Sequence, residues 1–509
     1  MLTGLDYAVL AIYLVGVAAF GILAGGKQRS TTDYFLGGRN LPWWAVCFSI
    51  VATETSTLTV ISVPAVAFGG SLTFFQLTLG YLLGRIIVSL LFLPRYYAGN
   101  LNTAYAFLGE RYGSGMRATA ATTFLITRLL ADGVRLFATA IPIKVIFDVA
   151  GFSLSYVEII VLIGLVTIVY TFIGGIRAVV WMDVVQMFVY VGGAILSVIL
   201  LLSGLTEGWW AVAKTAGKTV TFDFGIGEGI SAVLTNPYIF VTAVFGGAIF
   251  SMASHGTDQL IVQRLLTCRN LKDSQVALVV SGVVVMVQFA LFLFVGLLLW
   301  AHYGGVTYAE LGLTRADEIF PKFIIEGLPP GVSGFILAGI LAAAMSTLSS
   351  SLNSLASSTM LDLYALIKGR SMDEKKALWT SRVLTLGWGI VFMVFASLFT
   401  DEENPVVELG LAIASFTYGG LLGAFLLGLL VRRTDQKDAI VAFIVTISVV
   451  VWMIFSVWYS PELGWTINFR PGDDVISAYS LRPIAWPWYT FIGSLVTLCV
   501  GSLLALRHR

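Results

Sequence analysis

Hydrophobic residues run through this chain in blocks of about 20, divided by short polar punctuation, and at ~1.5 Å per residue each block is long enough to cross the ~30 Å hydrocarbon layer as a helix. The pattern predicts helices over 5–25, 42–68, 71–93, 118–147, 156–174, 179–203, 237–263, 274–301, 332–360, 378–399, 405–430, 439–459 and 484–506, thirteen in all. No segment reads as a separate soluble domain. The expected fold class is therefore an all-α polytopic membrane protein, with 1–509 as a single transmembrane unit.

Two of these blocks break the apolar rule. The second contains VATETSTLTVISVP, Val51 to Pro64, with a polar run from Thr53 to Thr59 interrupted only by Leu58. Hydroxyl and carboxylate side chains compete with the helix ladder, so this segment is expected to unwind and offer its carbonyls to an ion or solute. The ninth contains AAAMSTLSSSLNSLASS, Ala342 to Ser358, with eight hydroxyls in seventeen residues. At 100° per residue Ala343, Ser346 or Thr347, Ser350 and Ser354 share a face, with Ser349 and Asn353 beside it. A single membrane serine usually satisfies itself on the carbonyl one turn back. A stripe of them can replace the hydration shell of a hard monovalent cation.

Composition agrees with the pattern. The 509 residues are 58% hydrophobic and 12% charged, and the mean hydropathy is +0.89. Ordinary globular domains are roughly 45–50% apolar. Leu5 to Ala24 follows a start with no Lys or Arg, so it reads as a retained helix rather than a secretory signal.

Charge sets the orientation. Twenty basic residues, from Lys27, Arg29 and Arg39 to Arg432, Arg433, Lys437, Arg507 and Arg509, fall on one set of alternate connections; Arg370 is among them. The other set holds six, Lys214, Lys218, Arg315, Lys322, Arg470 and Arg482, and its loops are acidic, as in TDEEN at 400–404. By the positive-inside rule the N-terminus lies outside and the C-terminus in the cytoplasm. Arg85, Arg128, Arg135 and Lys144 remain, all within predicted helices. The net charge of +1 leaves no basic stripe for nucleic acid. Cys47, Cys268 and Cys499 imply no extracellular disulfide framework.

An odd helix count, a breaker-rich second helix and an interruption near Phe245-Gly246-Gly247 suggest an inverted repeat of five helices plus five, 42–203 and 237–430. One helix, 5–25, precedes it and two, 439–506, follow. This inference rests on topology, without residue-level identity between the halves.

The charged candidates each carry two readings. Glu54 is an intramembrane acid, a functional-site hypothesis by default, or a static partner of Arg135 or another internal base. Asp183 and Asp258 lie at membrane edges as cation ligands or as members of a cytoplasmic salt network, with Arg264 a ready partner for Asp258. Arg135 suits a solute carboxylate, or pairs with Asp132 on its own helix. With three histidines and neither HExxH nor GxSxG, no enzyme is expected. Few residues follow the last helix, so no sensor output domain is expected either; a passive channel is the nearest rival to a carrier.

DYFLGGRNLPWW at Asp33 to Trp44, the polar second helix, GGIRAVVWMDVVQ at Gly174 to Gln186, DQLIVQR at Asp258 to Arg264, AAAMSTLSSSLNS and GAFLLGLL at Gly423 to Leu430 together resemble the sodium:solute symporter family, in order over nearly the whole chain. The resemblance implies the LeuT-like fold and solute uptake driven by an inward sodium gradient. It implies a first sodium site from the carbonyls of Ala52, Thr55 and Ala343 and the hydroxyls of Ser346 and Thr347. A second, known in sialic acid carriers, would use Asp183, Ser346, Ser349 and Ser350. Arg135 takes the position that meets the solute carboxylate, with Glu54, Ser56, Thr59, Phe74 and Thr78 around the pocket. Glu54 departs from the sugar-carrier pattern, and Thr78 departs from the pattern of both the sugar and the sialic acid carriers, which counts against those two specific substrates. A carboxylate-bearing solute (a sialic acid, an amino acid or a monocarboxylate) is expected, with a sugar as the alternative. The implied partners are sodium ions, the solute and the bilayer, with no obligate protein partner.

Overall fold

The computed structural model describes residues 2–149, 151, 153–368, 373–398, 406–469 and 471–508. The TDEEN loop at 400–404 and Arg370, Arg470 and Arg509 of the charge count lie outside them. The principal helices are α1 (Gly4–Gly25), α2 (Trp43–Glu54), α3 (Thr57–Gly69), α4 (Phe75–Leu91), α5 (Ser114–Val149), α6 (Tyr156–Gly204), α7 (Gly247–Gly256), α8 (Gln259–Leu265), α9 (Leu271–His302), α10 (Val332–Ser358), α11 (Glu374–Ser397), α12 (Val406–Leu430), α13 (Gln436–Ser456) and α14 (Pro487–Ala505).

Among the described residues eight helices are long and apolar enough to cross a bilayer, or nine if the bent pair α2–α3 is one span. This is fewer than the pattern predicts, for local reasons. The blocks 156–174 and 179–203 join into one 49-residue helix, α6, broken only where Gly175 takes φ 57°, ψ −156°. The block 237–263 is divided into a π-helical turn, Thr242–Gly246, and the short helices α7 and α8. The middle of α5 carries Arg128, Asp132 and Arg135.

The all-α expectation needs one correction. Three short strands, β1 (Val457–Ser460), β2 (Gly464–Ile467) and β3 (Arg482–Pro483), form an antiparallel sheet in the order β2-β1-β3. The block at 439–459 therefore ends as a helix at Ser456. Aromatic and β-branched residues in VWYS and GWTI favour the strand, and Gly464 at φ 70° makes the return.

The second predicted helix does unwind. Its two halves meet at 66°. The ladder stops with the Thr55 N–H on the Val51 carbonyl at 3.1 Å and resumes with the Val60 N–H on Ser56 at 3.2 Å. The Thr53 and Thr55 hydroxyls donate back to Ser49 and Val51 carbonyls at 2.7 and 2.8 Å, and the Ser56 hydroxyl accepts the Thr59 N–H at 3.4 Å. Side chains thus compete with the backbone at the break, as the polar run requires. Below it, Pro64 in α3 packs so closely on α9 that a Cβ on Gly296 would lie 2.0 Å from the Pro64 carbonyl oxygen.

The break in α6 is equally constrained. A Cβ on Gly175 would meet the Tyr34 carbonyl oxygen at 2.5 Å, in a backbone conformation that side chains avoid. Replacing Gly175 by alanine is expected to cost about 1–3 kcal/mol from backbone strain alone. A lowered melting temperature of the purified protein checks this; an unchanged one contradicts it.

The four basic residues inside predicted helices all find acids. Arg85 pairs with Glu54 and Arg128 with Asp258 and Asp132. Arg135 pairs with Asp132 at 3.3 Å, and Lys144 with Asp148 at 2.8 Å.

Candidate cation and solute site

A helix end leaves its last carbonyls without ladder partners and carries a partial negative charge. The C-terminal end of α2 does this deep in the bundle. Its Ala52 to Thr55 segment faces the serine-rich stripe of α10, and two hydrogen bonds bracket the meeting. The Thr57 hydroxyl donates to the Ile340 carbonyl at 3.1 Å, and the Thr53 and Ser350 hydroxyls lie 3.2 Å apart. Between those clasps in sequence lie Thr55 on one side and Ala343, Ser346 and Thr347 on the other. The Thr55 hydroxyl also accepts from the Gln288 side chain at 2.7 Å, so α9 pins the break in place. The Thr347 hydroxyl reaches the Ala343 carbonyl at only 3.2 Å, a loose bond that a cation can replace. Neutral carbonyl and hydroxyl oxygens are the donor set a hard monovalent cation takes.

Asp183, fully buried on α6, sits one layer away. It accepts from Ser49 at 2.5 Å and from Ser346 at 2.6 Å, and pairs with Arg264 at 3.2 Å. Arg264 also donates to Ser350, to Ser49 at 2.9 Å and to the Leu260 carbonyl at 2.7 Å. Asp183, Ser346 and Ser350 are thus brought together around a guanidinium. Ser349 is turned along its own helix, donating to the Ser346 carbonyl at 3.0 Å. The expected partnership of Asp258 with Arg264 is replaced by another: the Asp258 carboxylate, which caps α8 through the Leu260 N–H at 2.9 Å, takes Arg128 and the Tyr418 hydroxyl at 2.7 Å. The reason is geometric, because α8 turns Arg264 toward α6 and α10 while its cap faces α5.

On the other side of α10, Ser56, Asp132, Arg135, Leu136, Thr139, Ala344, Thr347 and Leu348 line a narrow cleft. The Arg135 side chain is 23% exposed, whereas Asp132 beside it is 2% exposed. The wall therefore offers one accessible positive charge, three hydroxyls and an aliphatic remainder.

The other predicted solute contacts lie off this wall. Glu54 points toward α4 and α7, where it pairs with Arg85 and lies 2.9 Å from the His255 ring nitrogen; its static partner is Arg85 rather than Arg135. Thr78 is fully buried and donates to the Phe75 carbonyl at 2.7 Å, satisfied by its own helix. Phe74 stacks on Phe289 with ring centroids 5.5 Å apart. Thr59 is half-buried, its hydroxyl 3.5 Å from that of Ser56.

Sequence reasoning missed the partners that hold these groups. Gln288 and Ser281 (which accepts from Arg85 at 2.8 Å) are isolated polar residues in an otherwise apolar block, whereas His255 stands in the polar stretch SHGTDQ, Ser254 to Gln259. For the first two that isolation was the available signal, since a lone buried amide or hydroxyl needs a partner.

The profile of the sodium:solute symporter family matches residues 34–446. The chain is 29% identical to the sodium/sialic acid symporter NanT of Aliivibrio fischeri, covering 88% of this chain and 87% of that protein. It is 28% identical to the sodium-coupled monocarboxylate transporter 1 of Mus musculus, covering 98% and 86%. It is also similar to a solved Na+-coupled sialic acid symporter in a substrate-bound, outward-open state, with a TM-score of 0.82, 25% identity and coverage of 100% and 98%. The shared architecture is the LeuT-like one, sodium is the coupling ion of such carriers, and the relatives are membrane transporters rather than enzymes. The broken α2–α3 helix opposite a hydroxyl-rich α10 is the feature these comparisons place in context: the chain belongs to the sodium:solute symporter family.

Proposed function

We propose that this protein imports a small carboxylate together with sodium by alternating access. Thirteen crossings are counted when α6 is divided at Gly175, α7–α8 are taken as one broken span, and α5 and α12 are added to the rest. The N-terminus is outside and the C-terminus cytoplasmic, with 42–203 and 237–430 as inverted repeats, α1 ahead of them and 439–506 behind. The first sodium ion is held by the carbonyls of Ala52, Thr55 and Ala343 and the hydroxyls of Ser346 and Thr347. A second would lie at Asp183, Ser346, Ser349 and Ser350, where Arg264 must first withdraw. The solute carboxylate meets Arg135, with Ser56 nearby. Glu54, Thr59, Phe74 and Thr78 are left as a supporting shell around the break.

The observation that carries this reading is that Thr347 lines the same cleft as Arg135 and Ser56. A cation at Thr347 and an anion at Arg135 are then neighbours. At ~5 Å and an effective dielectric of ~20 their attraction is about 3 kcal/mol, enough for each to raise the other's affinity roughly a hundredfold. Sodium also fixes the geometry of the break that receives the solute. The named substrates of the two relatives, sialic acid and monocarboxylates, share the carboxylate that an exposed arginine fork recognises.

Uptake into vesicles containing the purified protein tests the proposal. Accumulation of a labelled carboxylate above its outside concentration, abolished when sodium is equal on both sides, is expected. Downhill flux that ignores the sodium gradient would establish a channel instead.

A further inference from the structure

Asp132 stands where no solute contact or ion ligand has been assigned, one helical turn before Arg135 on α5. Both of its oxygens are in use. One lies 3.3 Å from Arg135 and 3.4 Å from Arg128, the other 2.5 Å from the Ser351 hydroxyl and 3.5 Å from Arg128. Arg128 is in turn held by Asp258 and Tyr418, so its charge is already satisfied. Arg135 is not so enclosed: its one hydrogen bond to Asp132 is long, and it opens into the cleft.

We infer that Asp132 is an internal stand-in for the solute carboxylate at Arg135, a competitor that a docking anion must displace. This rests on the proposed carboxylate symport and names a residue that sets the affinity of that site. It follows from competition. A carboxylate docking on the guanidinium comes close to Asp132 with the same charge, and Arg135 can serve the newcomer fully only by releasing its neighbour. The Ser351 hydroxyl, 2.5 Å from the second Asp132 oxygen, holds the displaced carboxylate on the α10 side.

The full-length purified protein in saturating sodium chloride would be titrated with lactate and with N-acetylneuraminate as monoanionic probes, with thermal stabilisation and equilibrium binding as the readouts. Asp132→Asn is expected to tighten the bound anion roughly tenfold by removing its competitor, while slowing vesicle uptake, so that KM and kcat fall together. Ser351→Ala should act in the opposite direction, loosening the anion, because Asp132 loses a donor and claims Arg135 more strongly. It also decides the matter should Asp132→Asn not fold. An anion affinity that Asp132→Asn leaves unchanged or weakens overturns the inference, as does one that Ser351→Ala leaves unchanged or tightens. If no anion binds in sodium, the carboxylate reading itself fails and this inference with it.

Discussion

Replacing Ser346 and Thr347 together by alanine is expected to raise the sodium concentration for half-maximal uptake by at least a hundredfold, or to abolish uptake within the accessible range. Each substitution removes one hydroxyl from the proposed cation cage, and a bond to a charged group contributes about 1.5–3 kcal/mol. Two such losses amount to two or more powers of ten in affinity. The double variant has a side effect, since Ser346 also donates to Asp183 at 2.6 Å. Thr347→Ala alone is cleaner, because that hydroxyl makes only a 3.2 Å bond to the Ala343 carbonyl. Thr347→Ser keeps the oxygen and should restore most of the sodium affinity. Sodium activation curves over the whole set make the check; curves that superimpose on the parent would remove the cage from these positions.

Arg135→Ala should reduce the affinity for a carboxylate solute by about 30-fold or more. Removing one member of a desolvated charge pair typically costs 2–5 kcal/mol. Arg135→Lys keeps the charge but loses the planar fork, so an intermediate loss is expected. Direct binding in saturating sodium separates this effect from any change in the cation site. A sodium affinity measured without solute should not fall, because the proposed cage keeps all its ligands on α2 and α10 and the substitution removes a positive charge from the cleft it shares. If Arg135→Ala binds a carboxylate as well as the parent does, the cleft is not the solute site.

Much of this arrangement could be read before any coordinates. Val51 to Pro64 announced its own unwinding, because six polar side chains between Thr53 and Thr59, interrupted only by Leu58, offer the backbone partners that a helix ladder cannot outbid. The stripe from Ala343 to Ser354 followed from 100° per residue alone. The lone pairings were less legible. Arg135 with Asp132 could be anticipated from an i, i+3 spacing, but Arg85 with Glu54 and Arg264 with Asp183 join residues 31 and 81 positions apart. Sequence periodicity carries no information on which helices face each other across a bundle. Thr78 illustrates the same gap. Its position on α4 fits a pocket residue, yet its hydroxyl is spent on the Phe75 carbonyl, and only packing decides that. The small sheet at 457–483 was hidden because its strands are four residues or fewer, shorter than the window in which a period can be seen.

The pairing of interior charges has a consequence for the energetics of the cycle. Arg85, Arg117, Arg128, Arg135 and Arg264 are matched by Glu54, Asp362, Asp132, Asp258 and Asp183. When the unloaded protein swings back, these five arginines and five acids therefore give the electric field across the membrane no net charge to act on. Any current must be brought by the cargo. A single sodium ion travelling with one carboxylate is electrically silent, whereas a second ion makes every turnover carry a positive charge inward, at about 2.3 kcal/mol per 100 mV. The guanidinium of Arg264, seated where that second ion would lie, is thus the residue on which the electrical character of the carrier turns.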